Sequence, residues 1–370
     1  MDDPQARYST WVNIDLEAIR NNIRFILDRS GVQVMAIVKA NAYGHGAVPV
    51  ARAAIQAGAT WCGVARVGEA LELRQAGLDC PVLLLGYTPP ERYAEMVTQR
   101  VSMTAWDLEQ MKGLSAAAAN MNTTARIHLN VDTGMSRLGV RPEEALGLIR
   151  AAASFPNLML EGLFTHFACA DEADGTPTDA QEKLFLELVN EIQAAGIRIP
   201  LVHAANSAAG LTRPRTYLDC VRFGIAMYGL HPSAECVLPA DFQPALRWKS
   251  VLSQVKTLPP GRGISYGHEY VTAREERIGT VPVGYADGFR RTSGNQVLVG
   301  GRKVPVVGRV TMDQIMVQLD AVPDASEGDE VVLLGEQGEA SITAEEIASR
   351  WGTINYEVTS GIAHRVPRIS

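Results

Sequence analysis

The feature that most limits how this chain can fold is an alternation along its first two-thirds. Short apolar, β-branched runs recur at 34–38, 60–66, 82–86, 101–105, 126–132, 160–167, 201–206 and 220–229, separated by stretches with helical Ala and Leu patterns. Eight such runs with seven helical or part-helical connections, spread over about 240 residues, predict a (β/α)8 barrel. A doubly wound open sheet is the alternative. Before the first run, Leu16, Ile19, Ile23, Ile26 and Leu27 fall on one helical face. The clearest helix between runs is expected from Thr178 to Ile192, opening on a Thr178/Gln181 capping-box spacing, with Leu184, Phe185, Leu188, Val189 and Ile192 as its apolar face.

Near Ala240 the pattern changes. From Arg247 onward strands are short, glycine and proline are frequent, and helices nearly vanish. "NQVLVGGRKVPVVG" predicts a hairpin turning at Gly300–Gly301, and "DEVVLLGE" a further strand. One helix is expected from Thr343 to Arg350, opened by a Thr343/Glu346 capping box. The division expected is a barrel over 1–240 and a mostly antiparallel β domain over 241–370.

Composition excludes several functions. A net charge of -7 without any run of Lys or Arg argues against a nucleic-acid partner. No apolar run approaches the length of a transmembrane helix, so no membrane association is expected. The five cysteines contain no Cys-x-x-Cys pair, and the N-terminal stretch lacks the positive start and apolar core of a signal peptide. A reducing cytoplasm is the expected location, without disulfides or structural zinc.

Barrels of this kind place chemistry at the C-terminal ends of their strands. Lys39 follows the first run. Asn130, Asp132 and Arg137 lie in or after the fifth, His166 ends the sixth, His203, Asn206 and Ser207 end the seventh, and Arg222 and Gly224 belong to the eighth. A lysine closing a buried strand needs a partner, a lowered pKa or chemical conversion, such as a Schiff base with an aldehyde cofactor. Ser207, the amides at Gly224–Ile225 and Tyr43 suggest a phosphate site at the last two strand ends. His166 and His203 invite a metal, but Arg137 and Arg222 would set positive charge beside it, and no metal is expected. In the β domain, Tyr266, Tyr285 and Tyr356 each stand among glycine or apolar residues.

"VKANAYGHG", "DTGMSRLG", "HAANS", "RFGIAMYG", "SYG", "GYADG" and "TMDQIMV" occur in that order over nearly the whole chain. Together they resemble the signatures of the bacterial alanine racemases. The resemblance implies a fold-type III enzyme, an isomerase using pyridoxal 5′-phosphate (PLP), with Lys39 carrying the cofactor. It implies phosphate contacts from Tyr43, Ser207, Gly224, Ile225 and Tyr356, with Asn206 and His166 also at the cofactor. Arg222 would face the pyridine nitrogen and Arg137 the phenolic oxygen. Lys39 would serve the D face of alanine and Tyr266 the L face. Met312 and Asp313 would stand at the substrate carboxylate and Tyr285 at the entrance. The resemblance also implies a homodimer in which Tyr266, Tyr285, Met312 and Asp313 act in trans, making D-alanine for peptidoglycan.

Two features refine this expectation. Arginine has no acceptor and stays protonated, so Arg222 should leave the pyridine nitrogen without a proton and disfavour transamination. Many relatives carry a carbamylated lysine where this chain has Asn130. A neutral Asn130 cannot supply that negative charge, so a small anion such as chloride is expected beside Arg137 and Asn130. A broader serine/alanine racemase is one alternative. A PLP-barrel decarboxylase is another, but it would be expected to carry a cysteine in the β domain, where this sequence has none.

Overall fold

The computed structural model describes residues 7–370, which form two compact units. One unit comprises Leu16–Ala42 and Gly46–Gln243. Its strands are Gln33–Ile37, Trp61–Val64, Val82–Leu84, Val101–Ala105, Ala125–Asn130, Leu158–Phe164, Leu201–His203 and Cys220–Phe223. Each pairs in parallel with the next through the seventh. The eighth pairs in parallel with the first, from Gln33↔Cys220 to Ala36↔Phe223. Together with the backbone bonds across the seam between the seventh and eighth strands, that ladder nearly closes the ring and rules out the open sheet. The seam between the seventh and eighth strands is lighter, with Asp219 N–H donating to the Val202 carbonyl and Arg222 N–H to that of Ala205, both at 3.0 Å.

The helix Leu16–Ser30 buries Ala18, Ile19, Ile23 and Ile26 as its periodicity requires. Asn22 shares that face because its carboxamide donates to the Met227 and Gln243 carbonyls, at 2.9 and 3.1 Å. The long helix runs Thr176–Ala194, so Thr178 sits inside its first turn and is no cap. Pro177 explains the earlier start, since a missing N–H costs nothing there. Gln181 is buried and used elsewhere, and Leu184 is exposed rather than part of the apolar face.

The second unit gathers the N-terminal segment through Asp15, Tyr43–His45 and Pro244–Ser370. Strand Thr10–Ile14 pairs antiparallel with Leu246–Val251 and parallel with Arg368–Ile369. A boundary drawn at 240/241 leaves this strand with the barrel, whereas its ladders lie in the β unit. From Leu246–Val251 the sheet continues antiparallel through Glu330–Gln337, Gln296–Val299, Arg302–Val307, Ile315–Gln318, Glu276–Val281 and Gln254–Leu258. The hairpin turns at Gly300 and Gly301, whose φ values of 56° and 74° suit the two-residue turn that matches strand twist. Thr343 caps the helix Ala344–Trp351 by accepting from Glu346 N–H at 3.1 Å. The Glu346 carboxylate turns to Lys303 instead of completing the box. A second helix, Asn355–Ser360, was not expected.

Candidate active site

The first barrel strand hands over to a left-handed turn. Ala40, Asn41, Ala42 and Tyr43 have φ of 52°, 52°, 53° and 53°. Left-handed backbone costs an L-residue about 1–2 kcal/mol, so other contacts must hold it. Asn41 supplies two, its carbonyl accepting from Gly46 N–H and its Oδ1 from Ala47 N–H. Glu69 supplies another. It accepts from Ala40 N–H at 2.6 Å with one oxygen and from Ala65 and Arg66 N–H with the other. Nothing in the local pattern marks Glu69, because its partners come from two different strand ends. Lys39 is half-buried at this turn. Burial, then the charge of Arg137, lowers its pKa; Glu69 opposes this and Arg222 adds to it.

Arg222 is the most enclosed charge of the barrel, with 3% of its surface exposed. Nη1 donates to His203 Nδ1 at 3.0 Å and to the His203 carbonyl at 3.1 Å. Nη2 donates to the Thr165 and Ala204 carbonyls, at 2.8 and 2.9 Å, and lies 3.2 Å from His166 Nδ1. Burial brings its pKa down to about 10. These contacts occupy both terminal nitrogens and leave Nε–H as the donor for a ligand. Burial, followed by Arg222, Arg137 and Lys39, brings His166 down to about 3, so its ring is neutral. His166 and His203 both direct Nδ1 at Arg222. Among the described residues, no group of three His, Cys, Asp or Glu could hold a metal ion.

At the last two strand ends, Ser207 Oγ accepts from Gly224 N–H at 2.9 Å and Ala226 N–H at 3.4 Å. Its own O–H is thereby left as a donor, and Ile225 N–H takes part in neither bond. Gly224 itself is committed to Ser207. Asn206 caps the short helix Ser207–Thr212 by accepting from Ala209 N–H at 3.0 Å.

The loop carrying Arg137 is shaped by Asp132, which accepts from Gly134 and Ser136 N–H at 3.0 and 2.9 Å. Gly139 is required there, since a Cβ would lie 2.7 Å from Asp132 N and φ is +122°. Asn130 is buried and Arg137 exposed. Gln181 anchors the neighbouring strand end, donating to the His166 carbonyl at 3.1 Å and accepting from Ala168 N–H at 2.9 Å.

The β unit holds the remaining expected residues. The rings of Tyr43 and Tyr356 lie 6.0 Å apart, and burial pushes the Tyr43 hydroxyl pKa up. Tyr266 is 72% exposed, Tyr285 46% and Met312 53%. Tyr285 and Ala286 N–H donate to the Thr311 and Met312 carbonyls, both at 3.0 Å, so Tyr285 and Met312 are neighbours. Asp313 accepts from Arg365 Nη2, while Arg365 Nε donates to Asp287, each at 2.6 Å. No local pattern marks Arg365, because its two carboxylates are remote in the chain.

Residues 14–232 match the family described as alanine racemase, N-terminal domain, and residues 245–370 the alanine racemase, C-terminal domain. The chain belongs to the alanine racemase family. An alanine racemase from Desulfovibrio desulfuricans is 47% identical over 97% of both chains. Among solved structures, the alanine racemase of Clostridium difficile is 41% identical with a TM-score of 0.93, covering 98% of this chain and 95% of its own. That of Bacillus anthracis with bound L-Ala-P is 44% identical, TM-score 0.92, covering 98% and 94%. Family membership accounts for the barrel followed by a mostly antiparallel β domain. No helix of the described residues is long and apolar enough to cross a membrane.

Proposed function

We propose that this protein interconverts L- and D-alanine in the cytoplasm, with PLP held by Lys39, supplying D-alanine for peptidoglycan. The observation that carries the reading is Arg222, whose four terminal N–H bonds are engaged by the barrel while Nε–H remains for a ring nitrogen. The residues present fit the cofactor's other end as well. Ser207 O–H and Ile225 N–H suit a phosphate, with Asn206 and Gly224 beside them in the barrel unit, and the family resemblance assigns Tyr43 and Tyr356 to the same group. When bound, PLP supplies the electron sink that acidifies the alanine Cα–H.

The chain's own task is to set one base on each face of that carbon. Lys39, whose ammonium form is destabilised by burial and by Arg137, takes or returns a proton on the D face. Tyr266 of a second subunit serves the L face, and its exposure on the isolated chain suits a residue completed by a partner. His166 orients that tyrosine, and Tyr285, Met312 and Asp313 border the substrate. Arg222 can donate but not accept, which keeps the ring nitrogen unprotonated and turns the reaction away from transamination. Arg137 orients the phenolic oxygen, steadied by a small anion, chloride, beside neutral Asn130. Loss of activity in halide-free buffer and a bromide anomalous peak near Arg137 are the expected results; neither appearing would remove the anion.

The test of the whole reading is subunit complementation. Lys39→Ala and Tyr266→Phe should each abolish racemisation, and mixed protomers should recover it, because a heterodimer has one site carrying both lesions and one carrying none. Proven exchange without recovery would place both bases in one chain.

A further inference from the structure

Arg222 leads into a second set of buried polar groups that the reaction does not touch. His203 Nε2 lies 2.9 Å from His128 Nδ1, and His128 Nε2 lies 3.4 Å from Glu161 Oε2. Ser102 donates its hydroxyl to the same carboxylate oxygen. Arg126 stands 3.6 Å from the other oxygen, its side chain half exposed. The row therefore runs from the most buried cation of the barrel to an ion pair that meets water.

Proton positions along this row are set from its two ends, by an arginine that only donates and a carboxylate that only accepts. Arginine only donates, so His203 Nδ1 must accept from Arg222. A neutral imidazole carries one N–H, which places that of His203 on Nε2, facing His128 Nδ1. His128 Nδ1 must then accept, and its N–H sits on Nε2, facing Glu161. Complete burial holds both rings neutral, with Arg222 adding to the effect, and both pKa values lie below the ordinary imidazole value. Burial alone would raise the Glu161 pKa, but hydrogen bonds from His128 and Ser102, with the charge of Arg126, lower it overall, so the acceptor at the end is a carboxylate.

The fold makes specific room for this row. Between the fifth and sixth strands the register slips at Ile127/His128, where Leu160 pairs with Ile127 and Gly162 with His128. Glu161 is the extra residue, and a bulge is a device for re-aiming a side chain. Gly162 beside it has to be glycine, since a Cβ there would lie 2.3 Å from His128 Nδ1. Phe164 stacks on His203 with centroids 4.9 Å apart at 8°, and Trp61 meets His128 edge-on at 5.3 Å. Both rings are thus held against rotation.

We infer that Glu161 is a positioning residue for Arg222, fixing the tautomers of His128 and His203 so that His203 offers Arg222 an acceptor. With the carboxylate gone, His128 is free to carry its proton on Nδ1. His203 would then carry its own on Nδ1, donor against donor with Arg222, and the guanidinium would shift. The effect on catalysis rests on the proposed contact of Arg222 with the cofactor ring; the tautomers do not.

The experiment is 15N spectroscopy of histidine-labelled holoenzyme. Wild type should show Nε2–H with bare Nδ1 at both His128 and His203. Glu161→Gln, which retains an acceptor oxygen, should keep this pattern, and Glu161→Leu should lose it. Alongside, Glu161→Leu should lower kcat by roughly tenfold, the scale of one hydrogen bond to a charged group, with KM unchanged and the cofactor absorbance displaced. Glu161→Gln should restore most of kcat. A proton on Nδ1 of either ring in wild type overturns the inference with no variant needed, and so does a Glu161→Leu enzyme with unchanged tautomers and kcat. Correct tautomers in a protein that does not racemise alanine would overturn the functional reading and leave the relay standing.

Discussion

The depressed pKa of His166 makes stability depend on acid in a way that can be worked through. In the folded barrel burial, then Arg222, Arg137 and Lys39, brings this imidazole from 6.5 to about 3. The unfolded chain binds a proton near 6.5 and the folded chain does not. Stability is therefore complete above that value and declines as pH falls through it, until about 3. Each pH unit inside the window is worth about 1.4 kcal/mol, so lowering pH from 6.5 to 5 removes about 2 kcal/mol through this one ring. His166→Gln keeps an oxygen that can accept from Arg222 Nη2 but binds no proton. Equilibrium urea unfolding of holoenzyme at neutral pH and at pH 5 should show wild type losing about 2 kcal/mol more than the variant. NMR titration should find no His166 transition near 6.5 in the folded enzyme. Equal acid sensitivity in the two proteins, or a His166 transition at the ordinary value, refutes the reasoning.

Two further substitutions test how the β unit presents its residues. Gly284→Ala would set a Cβ 2.3 Å from the carbonyls of Thr311 and Met312, so the backbone must yield; about 1–3 kcal/mol of stability should be lost, with a raised KM because Tyr285 and Met312 move. Thr343→Ala removes the cap accepted from Glu346 N–H and should cost about 1 kcal/mol in urea unfolding without altering turnover.

The barrel was legible because each strand is a compact apolar run, and at five of the eight a candidate polar residue lies at or just after its end, so spacing alone carries position. Lys39, His166, Ser207 and Arg222 all occupy the barrel strand ends to which their runs assign them. What escaped reading depends on contacts between remote segments. Thr10–Ile14 looks like a short apolar patch until Leu246–Val251 and Arg368–Ile369 pair with it. Gln181 matches a capping spacing, yet tertiary demand at the His166 carbonyl outweighs that local use. Glu69 and Arg365 belong to the same class, since each bridges partners that no sequence window contains.

The left-handed turn after the first strand has a consequence for the order of assembly. Four residues at about 1–2 kcal/mol each amount to roughly 4–8 kcal/mol, comparable with the net stability of a whole domain. No nascent segment would adopt that handedness alone, and Asn41's two local bonds are too few to impose it. The further bond comes from Glu69, beyond the second strand. Lys39 therefore settles after the first strand only once the second strand and the helix carrying Glu69 have docked, so the turn that holds it matures late. Pulsed hydrogen exchange during refolding should find Ala40 N–H protected after the first- and second-strand amides; earlier protection would contradict this order.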